Sequence, residues 1–216
     1  MATWLNIVNQ VQRRLRSTVT TTVGDTAYST LLGQFVNDAK REVEECWDWT
    51  VLRSSVAATT SQGNRTVAIA GTNERTKILA AFNTDDGYVL TKISHFHERY
   101  HVANPNTTQN RPTRWRSAGL SGAGLLQVSV DPEPDATHNL SFYCWIPQAD
   151  LAADSTAISV PSQPVILRTW ALAVSERGED AGLRTHEAFD IADRSLANAV
   201  AIDAGMVSEE ITFKVV

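Results

Sequence analysis

The chain has 216 residues, of which 43% are hydrophobic and 20% charged, and its formal net charge is −5. That balance supports one or two globular domains with a proper core. It argues against a protein that clings to nucleic acid by neutralising phosphates, which needs a basic surplus, but not against one through which nucleic acid passes past a mildly acidic wall. Residues 1–6 lack the basic-then-apolar pattern of a secretory signal. No apolar run approaches the ~20 residues of a membrane span. A protein folded in a cytoplasm and not inserted in a membrane is expected. Cys46 and Cys144, the only two cysteines, read as buried free thiols rather than a disulfide.

In chain order, a first helix is expected over residues 3–17. Thr3 is its cap, and Trp4, Ile7, Val8, Val11 and Leu15 form its apolar stripe. Arg13, Arg14 and Arg16 suit the negative end of its dipole. The Thr-rich stretch 17–22 is β-branched and disfavours helix. A second helix follows over 28–49. Leu32, Phe35, Val36, Ala39, Val43, Cys46 and Trp47 recur at three- and four-residue spacing. Asp38, Lys40, Arg41, Glu42, Glu44 and Glu45 occupy the other face, which reads as solvated. Trp47 and Trp49 are expected to anchor a core or an interface where helix gives way to strand.

From 51 to 160 the composition is that of strands. Residues 50–58 and 65–70 read as two strands joined at Ser61-Gln62-Gly63-Asn64. Residues 76–82 and 88–90 flank a turn ending in Gly87. Residues 94–100 suggest a short helix. Residues 112–118, 125–130 and 139–146 suggest a three-stranded meander, so a compact, mostly antiparallel β domain is expected after the helix pair. Helices return after Pro161, with Ser162 as cap, Pro164 in the first turn and a buried stripe of Ile166, Leu167, Trp170, Ala171 and Val174. Residues 177–182 break this helix. A last helix runs over 184–204 and ends at Gly205, with a small face of Ala188, Ala192, Ser195 and Ala199 that permits close helix approach. Residues 207–216 alternate apolar and polar, placing Ile211, Phe213 and Val215 on one side of an extended strand. Two destinations compete: the β domain of the same chain, or a sheet of another subunit.

Reaction chemistry finds little support. His97-Glu98-Arg99-Tyr100-His101 matches the bare H-E-x-x-H spacing of a zinc helix, with His95 nearby. The segment is short, polar and beside a proline-containing loop, whereas a metalloprotease needs a long buried helix and a distant third ligand. Surface or interface histidines are the simpler reading, for His138 and His186 as well. A metal-dependent hydrolase using His97, Glu98 and His101 is therefore the alternative, not the first choice. Gly119, Gly122 and Gly124 lack the Lys-Ser/Thr of a phosphate loop and precede a strand, so they read as a hairpin turn; Ser121 lacks the second glycine of a nucleophile elbow. Arg111, Arg114 and Arg116 around Trp115 suggest a single-strand nucleic-acid platform, against which stands a solvated strand with a core tryptophan. Glu42, Glu44, Glu45 and Asp48 read as solvated carboxylates rather than a catalytic pair. No cofactor, metal site or catalytic residue is expected.

The run Phe35, Val36, Asn37, Ala39, Lys40, Arg41, Glu42, Val43, Glu44, Trp47 and Trp49, after a first helix and a Thr-rich linker and before a strand, resembles the head of phage head-to-tail adaptor (connector) proteins. The order of elements matches over nearly the whole chain. The resemblance implies an α+β fold: an antiparallel helical bundle (residues 1–50 and 161–206), an inserted, mostly antiparallel β domain (51–160) and an extended C-terminal arm (207–216). It implies a structural virion protein at the head–tail junction, assembled into a ring, as a dodecamer, on the portal protein. The ring would extend the DNA channel, let genome DNA pass without reading sequence, and dock a tail nozzle or tail tube protein. The arm that grips the portal or a neighbour would use Ile211, Phe213, Val215 and Val216. Helix interface anchors would be Phe35, Val43, Trp47 and Trp49. The family has no catalytic residues to transfer.

Overall fold

A computed structural model describes residues 1–94, 109–178 and 183–206. The chain forms two compact units, Met1–Leu52 with Gln148–Val216, and Arg53–Pro147. The fold is α+β, with four helices and two mostly antiparallel sheets among the described residues.

The first unit is helical. α1 spans Trp4–Arg14, shorter than the expected 3–17; the Thr3 hydroxyl accepts the Asn6 N–H and caps it as anticipated. Its end turns at Arg16, whose φ of 54° takes the chain out of the helix. The Thr-rich link is then held by side chains. Asn9 exchanges two hydrogen bonds with the Thr20 backbone, both 3.0 Å. The Asp25 carboxylate accepts from the amides and hydroxyls of Thr21 and Thr22. α2 spans Ala27–Cys46 and opens with a reciprocal capping box between Thr26 and Ser29. Its buried residues include Leu32, Val36, Ala39 and Val43, one stripe at helical spacing. A 3-10 turn at Thr50–Leu52 follows.

α3 spans Ser162–Arg177 and α4 spans Leu183–Met206. The cap residue of α3 is Pro161, with no side-chain cap bond, rather than Ser162: proline's fixed φ suits the entry and Ser162 lies inside the first turn. α3 packs against α1, α2 and α4, so burial extends beyond the expected stripe to Pro164, Val165, Thr169 and Ala173, while Trp170 and Val174 are half-buried. Gly178, left-handed at φ 62°, ends it. On the small face of α4, Ala188, Ala192 and Ala199 are buried within the fold and Ser195 is half-buried; Gly205 lies within the helix, not after it. Residues 148–160 run with this unit: the Trp4 amide donates to the Thr156 carbonyl (2.9 Å) and the Ile158 amide to the Ala2 carbonyl (3.0 Å).

The second unit holds two four-stranded sheets. One has the order β1 (Arg53–Thr59), β8 (Asn139–Trp145), β3 (Lys77–Asn83), β4 (Tyr88–Val89). The other has β2 (Thr66–Ala68), β7 (Leu126–Asp131), β6 (Arg114–Leu120), β5 (Thr91–Lys92). All pairs are antiparallel except β5–β6. The turns at 61–64 and 83–87 and the β6–β7 hairpin form where expected. The meander does not: β8 leaves β7 and inserts between β1 and β3, and β1 and β2 fall in different sheets. The gain is a shared core in which Val67, Ile69, Trp115, Val130, Leu140 and Phe142 meet. Strand partners distant in sequence are set by such burial, not by local pattern.

Candidate functional site

The motif on α2 makes a set of long-range polar contacts within the helical unit. Asn37, Lys40, Arg41 and Glu44 follow i, i+3, i+4, i+7 spacing and so share one face. That face is polar, and it is covered by the chain that returns from the β unit. The Asn37 amide donates to the Leu151 carbonyl (3.1 Å) and its oxygen accepts the Leu151 amide (2.8 Å). Arg41 pairs through two nitrogens with the Asp150 carboxylate, which holds its guanidinium further above its ordinary pKa.

Lys40 and Glu44 correct the expectation of a solvated face, because both are wholly buried. The Lys40 ammonium has three protons and meets three acceptors: the carbonyls of Gln148 (2.7 Å) and Ala149 (3.1 Å) and Glu44 Oε1 (3.2 Å). The Gln148 amide also donates to Glu44 Oε1 (3.3 Å). A buried charge is tolerated only when it is paired and its hydrogen bonds are met, and residues 148 and 149 supply what the helix alone cannot. Glu42 is likewise engaged. Arg168 on α3 donates from Nε to its Oε2 (2.8 Å), pairs through a second nitrogen with Oε1, and reaches Asp193 on α4 (3.2 Å). Arg168 thus ties Glu42 of the motif on α2 and Asp193 on α4 to α3.

The tryptophans close the helix. Trp49 is fully buried and its indole N–H donates to the Val43 carbonyl (2.6 Å), one of the acceptors α2 leaves open at its end. Trp47 is half-buried, and its indole donates to Asp203 Oδ2 on α4 (2.9 Å), which also accepts the amide (3.1 Å) and hydroxyl (3.2 Å) of Thr50. Phe35 is half-buried and Val43 buried. Cys46 is exposed, against expectation, because it sits on the last turn where the apolar stripe has rotated out. Cys144 is buried, and burial pushes its thiol up to about 11.

The other candidates resolve into structure where they are described. Trp115 is buried in the β unit. Arg111 pairs with Asp86 (2.6 Å) and Arg114 with Asp131 (3.5 Å), each an arginine with its own carboxylate. Ser121 Oγ accepts the amides of Ala123 (3.3 Å) and Leu125 (3.1 Å), a turn role, and Gly124 has the positive φ (75°) that the turn requires. His138 corrects the surface reading: it is buried, its ring against Asp135 (2.8 Å), and Asp135 is held below the usual carboxylate range by that bond. His186 is exposed. His95, His97, Glu98 and His101 lie outside the described residues, as do Ile211, Phe213, Val215 and Val216. Among the described residues no group of three or more His, Cys, Asp or Glu is placed to hold a metal ion, and no helix is long and apolar enough to cross a membrane.

Sequence reasoning missed the polar stripe. It carries the same spacing as the apolar one beside it, and the Lys40–Glu44 step of four is the pattern that marks a pair on one helical face.

No curated protein matches the chain. The family model of the SU10 adaptor protein matches residues 2–207, spanning both units and every contact described above. The chain therefore belongs to the SU10 adaptor protein family.

Proposed function

We propose that this phage structural adaptor forms the ring that joins the portal to the tail and extends the DNA channel, as a dodecamer matched to a twelvefold portal. The observation that carries the reading is family membership across residues 2–207. Its mechanism is assembly, with no covalent step. Copies close side by side, driven by burial of apolar surface at about 25 cal/mol per Å². The portal lies on one face of the ring and a tail nozzle or tube protein on the other, at the head–tail junction of the virion. A net charge of −5 suits a wall past which DNA moves without being held. Ile211, Phe213, Val215 and Val216 form the arm that grips the portal, since their alternation suits strand addition to a partner's sheet.

Negative-stain imaging of the purified protein mixed with portal tests the ring. Coaxial rings stacked on portal are expected, and isolated globules that never join portal would overturn the reading. Deleting residues 208–216 is expected to abolish co-sedimentation with portal while circular dichroism stays native. Undiminished co-sedimentation would remove the arm from the proposal.

A further inference from the structure

The end of α1 gathers positive charge that the chain leaves unpaired. Residues 1–24 hold Arg13, Arg14 and Arg16 and no acidic residue, and all three arginines are exposed. Elsewhere arginines meet carboxylates: Arg41 has Asp150, Arg111 has Asp86 and Arg168 has Glu42. The guanidiniums of Arg13, Arg14 and Arg16 meet none among the described residues. The first acid in the chain, Asp25, is engaged by Thr21 and Thr22. Cations suit the last turn of a helix, which accounts for Arg13 and Arg14 but not for Arg16, which lies past the cap Leu15. Arg16 and Ser17 close a Schellman turn: the Arg16 amide donates to the Arg13 carbonyl (3.1 Å) and the Ser17 amide to the Gln12 carbonyl (2.9 Å). The left-handed position of such a turn is normally glycine's, because a Cβ is costly there. Arg16 holds it at φ 54°, the only non-glycine residue to do so among the described residues. No hydrogen bond or ion pair of its side chain among those residues offsets that cost. Strain of this kind gathers at functional positions.

The turn is pinned from α3. Arg177 donates to the Leu15 carbonyl (3.5 Å), to Ser17 Oγ (2.9 Å) and to the Tyr28 hydroxyl (2.9 Å), and it stacks on the Tyr28 ring, 5.0 Å from the centroid. These partners are neutral, so Arg177 adds a fourth positive charge behind the turn. The exposed side chains of residues 13–18 are the three guanidiniums and the Thr18 hydroxyl, groups that contact phosphates. Val19, 44% exposed, is the one exposed apolar side chain beside them. Interfaces with DNA are more polar and far more positive than those between proteins. A protein interface sets its charges around an apolar centre, and this turn has none. We propose that Arg13, Arg14 and Arg16, on the turn held by Arg177, contact the phosphate backbone of duplex DNA without reading its sequence. The choice of DNA among phosphate polymers rests on the channel reading above; the patch itself needs no ring. Three contacts are few: affinity falls about forty-fold from about 50 to about 200 mM salt, so DNA is touched as it passes and is not held.

The test titrates the isotope-labelled full chain, without portal, with a short mixed-sequence DNA duplex at low salt and follows amide and guanidinium N–H signals by nuclear magnetic resonance. Shifts centred on Arg13, Arg14, Arg16 and Thr18 are expected, with a slope of log affinity against log salt of about −2.7 for three phosphates. The triple variant Arg13→Gln, Arg14→Gln, Arg16→Gln should lose those shifts. Arg16→Gly should weaken binding several-fold yet raise the melting temperature by roughly 2–4 °C, since it removes the strain together with the charge; should the triple variant unfold, this one carries the test. A fall in its melting temperature would show that the side chain serves the fold and would overturn the inference. Shifts centred elsewhere, no binding, or unchanged binding in the variants would do the same. Tighter binding of polyglutamate of the same charge would assign the patch to an acidic protein and overturn it too. No portal is present, so failure here leaves the ring reading standing, and failure of the ring leaves this result standing.

Discussion

Lys40 Nζ lies 3.2 Å from Glu44 Oε1, one helical turn along α2, with neither side chain exposed to solvent. Residues 148 and 149, a hundred positions later, complete the shell of that pair. The pair therefore reports whether the chain returning from the β unit has docked on α2. Removing one partner leaves a buried charge uncompensated, which costs about 3–5 kcal/mol. Lys40→Met should destabilise the helical unit by that order in urea unfolding followed by circular dichroism. The double variant Lys40→Met with Glu44→Leu should recover part of the loss, because no unpaired charge stays buried, while the Gln148 and Ala149 carbonyls and the Gln148 amide still lack the partners that the pair supplied. Equal losses in the single and double variants would contradict this account.

The reach of sequence reasoning follows from the same pair. Features set by neighbours in the chain were legible. These include the Thr3 cap, the apolar stripes of α1 and α2, the stop at Gly178 and the β6–β7 hairpin with Trp115 facing in. Each depends on residues within a few positions and on a period of 3.6 or 2. Lys40 and Glu44 were not legible as buried, since charged residues are almost never fully buried unless paired and their backbone partners lie far along the chain. The insertion of β8 between β1 and β3 escaped for the same reason. Of the candidate site, the motif itself was visible at 35–49, but not that its polar members fasten the protein to itself.

Gly33 lies in α2 beneath Trp4, whose indole donates to the Gly33 carbonyl (3.2 Å). A Cβ at position 33 would stand 2.6 Å from Val23 Cγ1 and 2.9 Å from Trp4 Cζ2. Glycine to alanine in a helix interior is ordinarily favourable by about 1 kcal/mol. Here overpacking reverses the sign, and Gly33→Ala should destabilise by about 1–3 kcal/mol. Gly205, also helical, has nothing among the described residues within 4 Å of its Cβ position, so Gly205→Ala should be neutral or stabilising by up to about 1 kcal/mol. Thermal melts of the two variants side by side decide the matter.

Asp25 gathers four donors from Thr21 and Thr22, and those hydrogen bonds, the Thr22 amide first, hold its carboxyl well below the ordinary 3.8. A carboxyl depressed in the folded state binds its proton more readily when unfolded. Its contribution to stability is therefore present above pH 3.8 and is lost as the pH falls through the lower folded value. Asp25→Asn should melt below the wild type at neutral pH, and the gap should close as the pH drops well below 3.8. A gap that is constant with pH would mean that the charge of Asp25 contributes nothing.

Asp203 joins the last turns of α4 to the exit of α2, since one carboxylate oxygen accepts from the Trp47 indole and from both the amide and the hydroxyl of Thr50. The contact holds the chain just where it leaves α2, since the backbone at Trp47 is extended, at φ −149° and ψ 149°. Asp203→Ala leaves those donors without their acceptor and should cost about 1–3 kcal/mol. Asp203→Asn keeps one carbonyl oxygen in place and should lose less, so the order Ala below Asn below wild type in urea midpoint is the expected result. Trp47→Phe removes a single donor and should cost about 1 kcal/mol. Its effect should largely vanish in the Asp203→Ala background, since the two side chains form one interaction. Full additivity of the two losses would show that Trp47 acts through packing alone.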